Sequence, residues 1–325
     1  MATIFDASLR TQLVNRRQKL MNAVTSSPGR SDLTSLLREV DAALSRMEGG
    51  TYGLCEECHE PIESERLAAN PLTRFCLEHL TEPQQRALEQ DLDLAARIQS
   101  ALLPKAGLEH AGWRTAFHYQ PAGLVSGDYC DLIPAEDGSL YFVLGDVSGK
   151  GVAASMLMSH LQAMFRTLIG TGLPLAQIIE RASRLFCEST LSNHYATLVC
   201  GRAEKNGSVE LCNAGHPAQL LRRGVMVHQI NATSLPLGMF CSEEFSFEKA
   251  QLKKGDCLLL FTDGLSEAQN PEETEFGVEP LKEIIRSRPT LAAQEIVQAC
   301  VSEVSRFRSG LRLKDDLTLM VLERL

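Results

Sequence analysis

The chain lacks any apolar run approaching the roughly 18 residues that a membrane span requires. Its first residues, MATIFDASLRTQ, carry an acid where a secretory signal would have an apolar core. Neither a signal peptide nor a membrane span is expected, and the expected compartment is the cytoplasm. Positive charge is also short: 32 Lys and Arg stand against 41 Asp and Glu, a formal net charge of −9. The deficit is −2 over residues 1–80 and −7 over the remainder. Neither part has the cationic footprint of a nucleic-acid binder. Ten cysteines in 325 residues are too few for a disulfide scaffold. No internal repeat or low-complexity tract is present, and the composition, 44% hydrophobic and 22% charged, excludes gross disorder. A chain of this length reads as two domains.

What is present changes character near residue 80. Leu9, Leu13, Leu20 and Val24 predict an amphipathic helix, which Ser-Ser-Pro-Gly at 26–29 interrupts. A second helix from Asp32 carries Leu33, Leu36, Val40, Leu44 and Met47 at spacings of three and four, and Gly49-Gly50 stops it. The pair reads as an antiparallel hairpin. A Cys-rich segment follows from Tyr52 to Leu80, and then a third helix that Pro104 ends. Beyond it, the β-like runs SLYFVLGD, YATLVCGRAE, SVELCNAG, CLLLFTDG and LTLMVLER are mixed with helical stretches at 152–168, 175–190 and 290–307. The layout is a helical module (1–80), a linker helix (81–104) and an α+β or α/β domain (105–325). Cys130, Cys187, Cys200, Cys212, Cys241, Cys257 and Cys300 are scattered, several in apolar runs, and are expected to be reduced core thiols.

Two constellations carry chemistry. The first is C-x₂-C-x₁₇-C-x₂-H, formed by Cys55, Cys58, Cys76 and His79. Paired ligands two residues apart can be aimed at one ion by a tight turn, and three thiolates with one imidazole suit a structural zinc. The segment has few large apolar residues, so a metal would replace the core it lacks. A redox C-x-x-C is the alternative, and His59 is a competing ligand disfavoured by its place directly after Cys58. The second constellation is a set of aspartates beside small residues at strand ends: Asp128 (near Asp131), Asp146, Asp263, and the pair Asp315-Asp316. Each alone reads as a turn or cap, but four such segments point to one cluster. Grouped carboxylates repel unless a cation lies between them. All-oxygen ligation suits magnesium or manganese, hence metal-assisted chemistry on a phosphate. GDVSGKG is not a nucleotide loop, because only three residues separate Gly145 from Gly149 and Gly151 follows Lys150. His216, in NAGHP, reads as part of a turn.

LVNRRQKL and EVDAALSRMEGGTYGLCEECHEPI resemble the DksA/TraR zinc-finger family over residues 1–80. That resemblance implies a helical hairpin beside a zinc finger, with Cys55, Cys58 and Cys76 on the family's thiolate positions and His79 in the fourth. Larger members reach RNA polymerase through an acidic hairpin tip. The tip here, Ser-Ser-Pro-Gly-Arg-Ser-Asp, disfavours that partner and favours an interaction or sensory role.

Residues 94–325 resemble the metal-dependent serine/threonine protein phosphatases (PPM) of the SpoIIE/RsbU type. The blocks are AARIQSALLP, YQPAGLVSGDYCD, FVLGDVSGKGVAASMLM, NAGHPAQLL, LPLG, LLLFTDGLSEAQN and KDDLTLMVL, in the family's order. The resemblance implies a β-sandwich flanked by helices and a dinuclear manganese or magnesium site. Asp146 would bridge both ions, and the Val147 carbonyl would complete one coordination sphere. Asp263 and Asp315 would hold the first ion and Asp128 would serve the second, with Asp316 ranked below Asp315. The implied substrate is a phosphoprotein such as an anti-sigma-factor antagonist. In the linker helix, Leu88, Leu92, Ala95 and Leu102 form one apolar stripe and Leu94, Ile98 and Ala101 another. The family uses this helix in dimerisation and switching, so a homodimer regulated through Leu92, Ile98 and Leu102 is expected.

Overall fold

The periodic leucines of the N-terminal region are buried where two helices meet. In the computed structural model of the chain, which describes residues 2–26, 30–80, 82–190 and 194–325, α1 (Ala2–Ser26) and α2 (Ser31–Glu48) pack through Leu13, Leu20, Val40 and Ala43. Residues 27–29 of the expected Ser-Ser-Pro-Gly break lie outside the described residues. Gly49 caps α2 and Gly50 follows at φ +72°, a left-handed conformation open to glycine without steric cost. Next, α3 (Ser64–Ala69) and a 3₁₀ turn (Leu77–His79) accompany a second small cluster, in which Leu9, Ile62 and Leu67 surround Cys55 and Cys76. Helix α4 (Glu82–Leu102) ends just before Leu103-Pro104. The chain divides into two compact units, Met1–Gln90 and Asp91–Leu325, with the division inside α4.

The larger unit holds strands β1 (Glu109–His110), β2 (Trp113–Gln120), β3 (Asp128–Pro134), β4 (Leu140–Val147), β5 (Ala196–Ala203) and β6 (Ser208–Ala214). It continues with β7 (Gln219–Arg223), β8 (Met226–Ile230), β9 (Glu248–Gln251), β10 (Cys257–Phe261) and β11 (Leu317–Arg324). They form a six-stranded sheet, β1-β2-β11-β10-β7-β8, and a five-stranded sheet, β3-β4-β5-β6-β9. Adjacent strands run antiparallel throughout.

Side-chain parity shows how the layers stack. Leu258, Leu260, Met320 and Leu322 of one sheet share a core with Leu132, Phe142, Leu144 and Val199 of the other. The alternate residues face outward. Tyr141, Val143 and Cys200 pack beneath α5 (Gly151–Ile169) and α6 (Leu175–Ser189). After the short α7 (Asp263–Ser266), α8 (Glu279–Ser287) and α9 (Ala293–Arg308) cover Leu259, Phe261, Leu319 and Val321. Both strand faces are buried, so these runs read as continuously hydrophobic rather than alternating. The architecture is the expected α+β sandwich, helices outside and two sheets within.

Besides strands such as β2 that no apolar run marks, the structure adds one helix and one disulfide to what the sequence predicts. Helix α8 carries little signal in the sequence, because its nine residues are short and open on Glu279-Pro280. Cys187 and Cys241, expected to be reduced, form a disulfide with Cα atoms 5.4 Å apart. These two sit on the half-buried edge of α6 and in an exposed loop rather than inside strands. Cys130, Cys200, Cys212, Cys257 and Cys300 are free and buried.

Candidate functional site

Following the inward-facing rows to the strand ends reaches polar residues. The row Leu140, Phe142, Leu144 leads by period two to Asp146, and the row Leu132, Cys130 leads to Asp128. The two aspartates stand directly opposite each other in the β3–β4 register. From the facing sheet, the same parity carries Leu260 on to Thr262 and Met320 back to Thr318. Both hydroxyls donate to Asp128 Oδ2, at 3.0 and 2.5 Å, so one buried carboxylate ties the two sheets together. In the sequence each threonine reads as an ordinary β-former.

The remaining aspartates arrive on two loops. Asp263 is the first residue of α7, and Asp315 and Asp316 immediately precede β11. Gly264 permits their approach: a Cβ there would lie 2.0 Å from the Asp316 carbonyl oxygen. The Asp316 carboxylate accepts the N–H of Ala122 (2.7 Å) and of Gly127 (2.9 Å), fastening the loop before β3. Asp315 Oδ2 accepts Lys150 Nζ at 2.8 Å. A Cβ on Gly127 would meet the Val147 carbonyl at 3.1 Å and Asp146 Oδ1 at 3.3 Å, so the missing side chain leaves these two oxygens their room. Gln99 of α4 clasps the same loop, donating to the Ser126 carbonyl (2.7 Å) and accepting the Ser126 N–H (2.9 Å). That two-point contact, two residues before Asp128, has no visible signal in the sequence.

Crowding shows in the acidities. Burial, then the charges of Asp263, Asp315 and Asp316, push Asp146 up to about 7. Burial and then Asp315 raise Asp263. Burial and then Asp146 hold Asp128 well above the usual carboxylate range, against the two threonine hydroxyls. An all-oxygen donor set under mutual repulsion fits hard divalent cations and does not fit zinc. Asp131 belongs elsewhere: it faces outward in a two-point ion pair with Arg166, both contacts 2.8 Å. His216 is buried in a turn, Nδ1 2.8 Å from Thr197 Oγ1, and burial lowers it to about 3. On α4, Leu92 and Leu102 are half-buried, whereas Ile98 is 56% exposed.

In the smaller unit, the ligand atoms of Cys55, Cys58, Cys76 and His79 all lie within 4.8 Å of one another. Cys58 and Cys76 sulfurs are 3.8 Å apart, matching the ligand–ligand edge of about 3.7 Å for a tetrahedron with Zn–S near 2.3 Å. Desolvation pushes the Cys55 thiol up, but the N–H groups of Cys58, Cys76 and Glu57 outweigh it and bring it to about 6. His59 stands outside the set, left-handed at φ 62°, with Nδ1 3.3 Å from the Cys55 carbonyl. Glu56 accepts from Arg46 and Arg74, bracing the first turn.

A family model described as Stage II sporulation protein E (SpoIIE) matches residues 136–325. A second, described as prokaryotic dksA/traR C4-type zinc finger, matches residues 50–78. Protein IcfG of Synechocystis sp. (strain ATCC 27184 / PCC 6803 / Kazusa) is 26% identical over 264 residues, 72% of this chain and 41% of that protein. Phosphoserine phosphatase RsbU of Bacillus subtilis (strain 168) is 25% identical over 244 residues, 74% of this chain and 72% of that one. The solved PP2C phosphatase domain of SpoIIE from Bacillus subtilis, with a fragment of its regulatory domain, is 25% identical with a TM-score of 0.57. That match covers 65% of this chain and 61% of the solved one. The chain thus spans less than half the length of IcfG.

Proposed function

The chain belongs to the SpoIIE family, and from that membership we propose that it is a metal-dependent serine/threonine protein phosphatase acting on a phosphoprotein. The observation that carries the proposal is the convergence of Asp128, Asp146, Asp263 and Asp315, from four segments, on one end of the sandwich. Two manganese or magnesium ions, held by these aspartates with the Val147 carbonyl and Asp316 beside them, would supply an acidified water and neutralise charge on the phosphoryl oxygens. The protein's own part is positioning. Thr262 and Thr318 fix the Asp128 carboxylate across the sheets. Asp316 pins the loop that carries Gly127. Lys150 orients Asp315.

The N-terminal module (1–80) is proposed to hold one structural zinc on Cys55, Cys58, Cys76 and His79 and to regulate the phosphatase domain (105–325) through the linker (81–104). Two observations support a role for the linker: Gln99 connects α4 to the Asp128 loop, and Leu94 and Ile98 are 50% and 56% exposed on α4. A homodimer formed through this helix would cover them, with Leu92, Ile98 and Leu102 as switching positions. The proposed setting is cytoplasmic; no helix among the described residues is long and apolar enough to cross a membrane. The proposed substrate is a seryl-phosphorylated anti-sigma-factor antagonist. Incubating such a protein with the full chain and manganese should release its phosphate, read on a phosphate-affinity gel. Phosphate retained by every antagonist encoded near the gene would overturn the substrate assignment.

A further inference from the structure

Beside the carboxylate cluster, a groove of about 400 Å³ is walled by Lys150, Arg308, Arg312 and Lys314, with Glu267 and Asp315 as its acids. Four cations against two carboxylates leave the groove's own lining net positive, on a chain whose net charge is −9. Most of these cations have no carboxylate of their own. Arg308 donates to the Leu311 carbonyl and Lys314 to the Gln269 amide oxygen. Among the described residues neither they nor Arg312 make an ion pair, whereas neighbouring Arg306 is paired with Glu303. The backbone is built to hold them there. Helix α9 ends on two successive left-handed residues, Ser309 (φ 50°) and Gly310 (φ 86°). In the first, the Cβ of a non-glycine residue crowds the following carbonyl oxygen. The turn brings the chain back along Leu311–Lys314 into Asp315, so the cationic wall runs directly into the candidate site.

We propose that this groove receives an acidic segment flanking the phosphorylated residue of the phosphoprotein substrate. The inference rests on the phosphatase reading and deepens it. A substrate approaching an acidic protein is repelled at long range, and a cationic groove at the mouth of the site offsets that repulsion and fixes the direction of the substrate chain. Exposed charge pairs are individually weak, so a few acting together favour an acidic over a neutral sequence by about three- to tenfold.

The test uses the full chain with manganese and three esters. These are p-nitrophenyl phosphate, a phosphoserine peptide flanked by glutamates, and the same peptide flanked by glutamines. We expect kcat/KM for the glutamate peptide to exceed that for the glutamine peptide about three- to tenfold at low salt, chiefly through KM. The preference should vanish at high ionic strength. Arg312→Glu should abolish or reverse it, Arg312→Lys should retain it, and p-nitrophenyl phosphate turnover should be unchanged in both variants. Equal turnover of the two peptides by a chain that hydrolyses p-nitrophenyl phosphate overturns docking alone. So does an Arg312→Glu variant that loses all three activities alike. If no ester is hydrolysed, the phosphatase reading falls and the docking proposal falls with it.

Discussion

The zinc knuckle and the carboxylate end make opposite use of the chain. The knuckle draws its four candidate ligands from residues 55–79, on a unit whose cysteine-bearing cluster, among the described residues, buries Leu9, Ile62 and Leu67 besides the thiols. The carboxylate end draws its aspartates from residues 128–316, on two sheets with apolar layers on both sides. In the first, a bound metal would stand in for a core. In the second, the core exists first and holds like charges together. The difference predicts which unit survives loss of its metal.

The largest expected effect tests that contrast directly. Chelation of zinc, or Cys58→Ser, should unfold the knuckle, because binding energy there is folding energy, about 10–16 kcal/mol for structural zinc in small fingers. The cooperative melting of the sandwich should persist. Elemental analysis should find one zinc per chain before chelation, and none found in metal-replete protein would count against the site. If the sandwich melted together with the knuckle, the two units would not differ as described.

Next comes the reverse case. Asp146→Asn should lower turnover of a phosphoserine peptide by roughly 10²–10³-fold, on the scale of losing one strong electrostatic contact at a reacting centre. The melting temperature should not fall, because the substitution removes one of several crowded charges. A smaller loss, about 10–100-fold, is expected for Thr318→Val, which leaves Asp128 with only the Thr262 hydroxyl. Comparing metal affinity of this variant with that of wild type would separate a positioning role from a packing one.

The smallest effect concerns pH. Asp146 is raised to about 7 in the protein without metal and is ordinarily near 4 when unfolded. The folded state therefore binds the proton more tightly. Its contribution to stability is full below about pH 4 and is lost as pH rises through about 7. The metal-free sandwich should melt at a lower temperature at pH 8 than at pH 5, and manganese should reverse the trend. Calorimetry showing higher stability at pH 8 without metal would contradict the crowding.

How much of this was legible in the sequence follows from the same contrast. The knuckle's candidate ligands come in two close pairs, so spacing alone marks them as a set. Asp146 and Asp263 were legible as the ends of apolar runs, and Asp315-Asp316 as the acids that open one. The residues that hold them were not. Thr262 and Thr318 look like any strand threonine until the opposing sheet is in place. The grip of Asp316 on Ala122 and Gly127 spans nearly 200 positions, and Gln99 reads only as a polar residue on a helix. Strand β2 went unread although Trp113, Phe117 and Tyr119 alternate toward the inner core. Its polar outer residues broke the apolar run that marked the other strands. The Cys187–Cys241 pairing depends on a loop meeting a helix 54 positions away, which no local pattern encodes.

The most direct measurement is phosphate release from a phosphoserine peptide by the full chain, as manganese is titrated into chelator-treated protein, with Asp263→Asn alongside. Turnover that appears with manganese in wild type, and is reduced about 10²-fold or more in the variant, is the expected result. Full activity in excess chelator, or equal activity in Asp263→Asn, would contradict the assignment of chemistry to the carboxylate end.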